Sequence, residues 1–286
     1  TNFYDIPGLR SRALEFKTTA DSLNVRNAVD EVFERKGKRK PINIVVGGGG
    51  FTGCEVASEL VGYADNLSDI HGHPRDGVFI SIIEASPTLL GPLSDWAKLK
   101  TDARLKKLGV KIFLSDPVVD ARDGSVRLKS GREINFDVLV WTAGVKANPI
   151  SEKISGAELN RGGIVVDDYL NSKGFKSIFA VGDIGFCVGF DQKPMSMTGQ
   201  TAISQGKYIA YSIKRLLRGR KVLKYHLRKS RFIMPLGGKY AITDLDFVRI
   251  SGFLPWLLKR LVALVYFLSI LSFRKAVRIW LYGARF

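Results

Sequence analysis

The 286-residue chain has only two cysteines, Cys54 and Cys187, and no C-x-x-C pair. The absence of a close pair argues against a thiol–disulfide shuttle, and both cysteines read as reduced packing residues in a cytosolic setting. Two of its three histidines, His71 and His73, share a loop without further ligands, so no metal is expected. The N-terminal TNFYDIPGLRSRALEF lacks the basic-then-apolar run of a signal peptide. No uncharged apolar run reaches the ~20 residues that span a bilayer. In the C-terminal tail, Leu261–Phe273 gives 13. Acids are scarce in the same tail. From Lys214 to Phe286 there are 17 basic residues and two acids, Asp244 and Asp246, whereas the first 213 residues are nearly balanced, with 27 and 25. A tail of this charge suits a polyanion.

Its apolar content selects which one. Residues 253–273 read FLPWLLKRLVALVYFLSILSF, and the FRKAVRIWLYGARF that ends the chain puts Arg274, Arg278 and Arg285 on one helical face. Val277, Trp280 and Leu281 lie on another, with Trp280 and Tyr282 suited to an interface. Apolar body, aromatic edge and basic flanks describe amphipathic helices lying on an anionic membrane surface. Nucleic acid would not need this much Leu, Val and Phe. A hairpin buried in a homodimer interface is the alternative.

What the chain does have is a 45% hydrophobic fraction, ample for one or two packed domains, and a glycine cluster after a β-branched run. In PINIVVGGGGFTGCEVASEL (41–60), Ile42–Val46 reads as a buried parallel strand and Glu55–Leu60 as helix. Gly48, Gly50 and Gly53 fit G-x-G-x-x-G between them, the context that dinucleotide binding demands. Gly48 permits the tight turn, Gly50 the approach of a pyrophosphate, and Gly53 close helix packing. Glu84 ends the next strand, Val78–Ile83, where a carboxylate can accept both adenosine ribose hydroxyls and repel a 2′-phosphate. NADH over NADPH is the expectation. The separation of Glu84 from Gly53 is wider than the usual ~20, which fits a loop inserted at residues 71–77.

Elsewhere, residues 1–20 read as loop, with Thr19-Ala-Asp21 capping a helix at Ser22–Arg35 and a basic linker, Gly37–Lys40, after it. Ala97–Leu108 is the next helix. Lys111–Leu114, Val118–Ala121, Ser125–Leu128 and Arg132–Ile134 suggest an antiparallel meander inserted in the parallel fold. Asp137–Trp141 returns to the sheet and ends in Thr142-Ala143-Gly144, small residues able to line a ligand crevice. A second unit from Ser151 has strands at Ile164–Val166 and Ser177–Val181, then Gly182-Asp183, whose carboxylate can bind a cofactor hydroxyl or cap a helix. Residues 198–217 form a long amphipathic helix with Gln200, Ser204 and Gln205 near its start.

GGGGFTGCEVASEL, DVLVWTAGVKANP, SIFAVGDIG and GQTAISQGKYIA occur in the order and spacing of the type II NADH:quinone oxidoreductases, which the chain resembles over nearly its whole length. The resemblance implies an α/β fold: a Rossmann-like NADH-binding domain with the meander insert, a partial FAD-binding domain and C-terminal membrane-binding helices. It divides the chain into 1–37 (end of the FAD domain and linker helix), 38–150 (NADH), 151–228 (C-terminal half of the FAD domain) and 229–286 (membrane anchor). It implies a catalytic Glu55 near nicotinamide and flavin, although Thr52-x-x-Glu55 also reads as a capping box. It places NADH against Gly48, Gly50, Phe51, Thr52, Gly53 and Glu84, with Ala143 and Gly144 near the nicotinamide. Gly182 and Asp183 would hold the FAD ribityl chain, and Gln200, Ser204 and Gln205 would lie near flavin and quinone, with Gln200 joining Glu55 as a catalytic residue.

The implied activity is hydride transfer from NADH to FAD and two-electron reduction of a membrane quinone, without proton pumping, at the cytoplasmic face of the cell membrane. Gly199 and Ser204 depart from the family's Ala-Gln-x-Ala-x-Gln-Gln. No second glycine motif precedes residue 41, so the expectation is a piece of a longer protein, or one completed by a separate chain supplying the N-terminal FAD half. A flavin reductase of the same fold with another acceptor, and an NADH-binding membrane fragment without activity of its own, are the competing readings. Sulfide oxidation would need cysteines beside the flavin, and these two are poor candidates.

Overall fold

A computed structural model describes all residues except 37–39, 92, 176, 190–193, 196, 227–231, 246–247 and 283–286. Most of the Gly37–Lys40 linker, and Arg285 of the basic helical face, lie outside the described residues. The chain forms two units: Thr1 with Phe3–Gly144 and Arg231–Phe286, and Asn2 with Val145–Ser230.

The first unit opens with one helical turn, α1 (Leu9–Arg12), and a short strand, β1 (Leu14–Glu15), where sequence alone suggests loop. Helix α2 (Thr19–Lys36) begins three residues before the expected Ser22. Thr18 and Asp21 cap it reciprocally: the Thr18 N–H donates to Asp21 Oδ2 (2.7 Å), and the Asp21 N–H to Thr18 Oγ1 (3.2 Å). The Thr18 and Lys17 N–H groups hold the Asp21 carboxyl below the usual range. Val25, Val29, Val32 and Phe33 are its buried stripe.

Then come β2 (Ile42–Gly47), α3 (Phe51–His71), β3 (Val78–Ile83), α4 (Asp95–Lys107) and β4 (Lys111–Phe113). The next strands are β5 (Val118–Arg122), β6 (Ser125–Leu128), β7 (Glu133–Asn135) and β8 (Val138–Trp141). The central sheet runs β1-β8-β2-β3-β4, with every pair parallel. This is the expected Rossmann-like α/β arrangement, and near-continuous apolar runs in β2, β3 and β8 supply its core. The meander has three strands, β5-β6-β7, rather than four. Lys111–Phe113 pairs in parallel with β3 instead, Ile112 opposite Ile82. Helix α3 runs on to His71 and ends on Gly72 in the left-handed region (φ 62°), so part of the extra spacing before Glu84 is helix.

In the second unit, β9 (Leu159–Asn160), β10 (Gly163–Val165) and β11 (Gly185–Phe186) form a small sheet, followed by α5 (Gly199–Leu216). The expected strand Ser177–Val181 makes only one bridge, Phe179 with Asn171, because the hairpin before it offers isolated partners rather than a ladder. Thr198 caps α5, its Oγ1 accepting the Thr201 N–H (3.2 Å).

The chain then returns to the first unit. Residues assigned above to the membrane anchor begin with an antiparallel sheet, β12 (Phe232–Pro235), β13 (Ala241–Asp244) and β14 (Arg249–Gly252). Phe232 meets Phe51 edge-on (5.3 Å), and Arg104 of α4 donates to the carbonyls of Leu236 (3.0 Å) and Gly237 (2.8 Å). Helices α6 (Phe253–Ile270) and α7 (Phe273–Tyr282) follow. They are locked reciprocally: Arg260 Nη2 donates to the Trp280 carbonyl (2.8 Å) and Trp280 Nε1 to the Arg260 carbonyl (2.7 Å). Among the described residues, α6 (18 residues, mean hydropathy 1.7) is the one helix apolar and long enough to cross a membrane by length and composition. It exceeds the 13-residue uncharged stretch because it includes Lys259 and Arg260.

Candidate functional site

The residues singled out around the glycine cluster gather at the C-terminal ends of β2, β3 and β8. The Gly48 N–H donates to the Ile83 carbonyl (2.8 Å), which turns the chain immediately after β2. Gly48 has φ 107°, and a Cβ there would stand 2.9 Å from the Ala143 nitrogen. A Cβ on Gly53 would lie 1.8 Å from the Gly48 carbonyl oxygen, so this glycine is required by helix–strand packing alone. Gly50 is different. A Cβ there would meet nothing within 4 Å. Gly50 also occupies the N-cap of α3 without a side-chain capping bond, so the first-turn N–H groups remain available to an anion. Thr52 and Glu55 both lie inside the helix, so the capping box read from sequence does not form.

Glu84 is held by both oxygens. Its Oε2 accepts the Gly49 N–H (2.6 Å) and its Oε1 the Ser86 N–H (2.7 Å). The carboxylate is thus fixed against the glycine turn, with lone pairs left for further donors. Gly49 is the residue that sequence reasoning missed; only the run of four glycines hints at it. Thr142 was not singled out as a ligand either. Its Oγ1 donates to the Gly47 carbonyl (2.9 Å) and fastens the β8 end, with Ala143 and Gly144 (φ 77°), to the turn.

Glu55 is half-buried one turn into α3, and its carboxylate has no hydrogen-bond or ion-pair partner among the described residues. Burial pushes its pKa up, Lys259 of α6 pulls it down, and Glu59 pushes it further up. Cys54 is a buried free thiol with Sγ 3.5 Å from the Gly49 carbonyl; burial, with Glu84 and Glu55 nearby, raises its pKa to about 12. Such a thiol is inert. Cys187 is likewise buried and free, its pKa raised by burial first.

In the second unit, Gly182 (φ 68°) and Asp183 sit on a 3₁₀ turn, Gly182–Ile184, beside α5. Asp183 is exposed and makes no ion pair among the described residues. Gln200 is exposed on the first turn of α5, and Ser204 lies one turn on, accepting from the Tyr225 hydroxyl (3.1 Å). Gln205 differs from both: it is buried, and its Oε1 accepts the Gly182 N–H (2.6 Å). It positions the Gly182 turn.

The profile of the pyridine nucleotide-disulphide oxidoreductase family matches residues 2–206. The type II NADH:quinone oxidoreductase of Staphylococcus aureus (strain NCTC 8325 / PS 47) is 27% identical over 243 residues, covering 82% of this chain and 60% of that protein. The chain therefore spans about 60% of the length of the curated relatives it matches. The structure of NDH2 from Plasmodium falciparum in complex with NADH superposes on all of this chain and 76% of its own, with TM-score 0.86 at 17% identity. Reduced Bacillus anthracis CoADR-RHD gives TM-score 0.62 at 23% identity, over 90% of this chain and 42% of its own. These two likenesses establish the fold. A family profile that covers most of the sequence, on a Rossmann-like unit with the glycine turn in place, means that the chain belongs to the pyridine nucleotide-disulphide oxidoreductase family.

Proposed function

We propose that the chain carries the NADH site, part of the FAD site and the membrane face of an enzyme that oxidises NADH and reduces a membrane quinone. The observation that carries this reading is the junction at residues 47–53. An uncapped helix start, an unfilled space at Gly50 and a fixed carboxylate at Glu84 suit the pyrophosphate and adenosine ribose of NADH. Phe51 and Thr52 supply first-turn backbone, and Ala143 and Gly144 a small-residue floor for the nicotinamide. Asp183, on the turn fixed by Gln205, suits a hydroxyl of FAD.

FAD, when bound, supplies the acceptance of hydride and its onward transfer as electrons. The chain's own residues bind, orient and manage protons. Glu55, its carboxyl raised by burial, holds a proton at higher pH than an exposed glutamate does. Gln200 and Ser204 offer neutral hydrogen-bonding groups to a quinone carbonyl; Gln205 acts only by positioning. The S. aureus relative is named as a quinone oxidoreductase, which supports a quinone as the acceptor.

In domain terms, 38–144 binds NADH, with 1–37 and the β12–β14 sheet packed into the same unit, 151–228 continues the FAD domain, and α6 and α7 meet the membrane. The FAD pyrophosphate contacts come from outside these 286 residues, on the same chain or a separate one. Residues of α6 and α7 seat the protein peripherally at the cytoplasmic face of the cell membrane, and a homodimer through the same apolar surface is the competing use. Proton pumping is not part of the proposed scheme.

A flavin absorbance spectrum in mild detergent tests the reading, taken with and without added FAD and after anaerobic NADH. A flavin band bleached by NADH, with reoxidation by quinone, is expected of the complete protein. Bleaching with reoxidation only by a protein carrier would assign a different acceptor. NADH binding without flavin would leave a nucleotide-binding fragment.

A further inference from the structure

Among the described residues outside α6 and α7, the C-terminal end of α5 joins exposed apolar side chains to cations that make no ion pair. Ile213, Leu216 and Leu217 are spaced i, i+3, i+4 and share a face. Leu217 is 83% exposed, Leu216 53% and Leu223, in the segment that follows, 62%. Two adjacent leucines this exposed, beside Ile213 on the same face and with Leu223 exposed in the next segment, are not the scattered apolar residues of an ordinary surface.

The backbone that carries them is ordered by its own bonds. Gly219 adopts φ 63°, the Arg220 N–H donates to the Arg215 carbonyl (2.9 Å), and the Tyr208 hydroxyl donates to the Leu223 carbonyl (2.6 Å). Arg215 Nη1 donates to the Tyr211 hydroxyl (3.1 Å). The leucines are therefore held outward on a shaped turn.

Within the segment itself, the charged side chains are all of one sign. Between Ile213 and Leu223 the sequence contains no carboxylate, amide or hydroxyl side chain, and no Asp or Glu occurs between Asp191 and Asp244. Lys224 pairs with Asp168 (2.6 Å), but Lys214, Arg218, Arg220 and Lys221 make no ion pair among the described residues. A protein partner is read through directional and mixed polar groups, and a nucleic acid through cations without leucines. Leucines flanked in sequence only by Lys and Arg, with Tyr211 half-exposed one turn before, match the headgroup region of an anionic bilayer.

We propose that residues 213–223 are a second membrane contact: Leu216, Leu217 and Leu223 enter the interface while Lys214, Arg218, Arg220 and Lys221 meet lipid phosphates. It rests on the membrane reading above but uses residues of the second unit, outside α6 and α7.

The test uses the full chain labelled with an environment-sensitive fluorophore at Leu217→Cys, mixed with phosphatidylglycerol/phosphatidylcholine vesicles that contain brominated lipid. A label at Leu281→Cys on α7 is the reference, and Leu223→Cys repeats the reading at a second exposed position. Quenching at 217 and 223 on anionic vesicles is expected, and Lys214→Gln/Lys221→Gln should weaken partitioning by roughly fivefold per charge. Quenching at 281 but not at 217 or 223 would overturn the second contact and leave the membrane reading intact. No quenching at any of the three overturns both. A shift at 217 that grows with protein concentration without vesicles would assign the surface to a second copy of the chain and overturn the lipid assignment.

Discussion

The Gln205 side-chain carbonyl accepts the Gly182 backbone N–H at 2.6 Å, tying α5 to the turn that presents Asp183. A buried amide in that place has a structural task that its neighbours Gln200 and Ser204 lack. Gln205→Leu leaves the Gly182 N–H unsatisfied, which costs about 1–3 kcal/mol. Thermal melts should fall by several degrees and flavin retention should drop. Gln200→Ala, at an exposed position, should leave the melt unchanged and raise the KM for quinone. If Gln205→Leu melts like the parent and changes only the quinone KM, the positioning role is wrong.

Two glycines of one motif separate folding from binding. Gly53→Ala would place a methyl group 1.8 Å from the Gly48 carbonyl, whereas Gly50→Ala meets no protein atom within 4 Å. The first variant should express poorly or melt far below the parent. The second should melt normally but bind NADH at least about tenfold more weakly, because its methyl occupies the approach of the pyrophosphate. Calorimetric titration with NADH alongside a thermal melt reads both. Normal NADH affinity in Gly50→Ala would remove the phosphate from this turn.

Glu84 engages two N–H donors, Gly49 and Ser86, with its two oxygens. Glu84→Gln keeps the shape but turns an NH₂ toward one of them, removing a charge-assisted bond worth about 1.5–3 kcal/mol. NADH binding should weaken about tenfold or more, and the preference over NADPH should narrow as repulsion of the 2′-phosphate disappears. Competition titrations with the two nucleotides check this. An unchanged NADH/NADPH ratio would mean that Glu84 only braces the turn.

The parts of the fold written as long apolar runs are legible in the sequence. Val78–Ile83 has the same bounds in the structure, and β2 extends one residue past Val46. Short segments are not legible, because three residues such as Lys111–Phe113 fit a parallel or an antiparallel neighbour equally well. The β12–β14 sheet is hidden for a related reason: a basic, apolar composition dominates 229–286, while the alternation at Phe232 and Met234 and the turn at Gly237-Gly238 are brief. At the site, residue types were readable but not their partners. Nothing local distinguishes exposed Gln200 from buried Gln205, since the Gly182 N–H that separates their roles lies more than twenty positions away.

Glu55 gives the pH dependence. Burial is the largest influence on its carboxyl and raises the pKa above 4.5, Lys259 opposes it, and Glu59, itself raised by burial, adds to it. The unfolded chain ionises Glu55 at the ordinary value, whereas the folded chain ionises it only at higher pH. Its contribution to stability therefore falls as pH rises from about 4.5 through the raised pKa, and is constant above it. Glu55→Gln cannot ionise and escapes that loss, while Glu59 is common to both proteins and cancels. The melting temperature of Glu55→Gln relative to the parent should thus climb from acidic to neutral pH. Lys259→Met, introduced into both proteins, should shift the climb to higher pH, since it removes the cation that favours the carboxylate. Melts of the four proteins across this range decide it: a flat difference between Glu55→Gln and the parent would show a carboxyl that titrates as in water, and would remove the reason for assigning it a proton in the reaction.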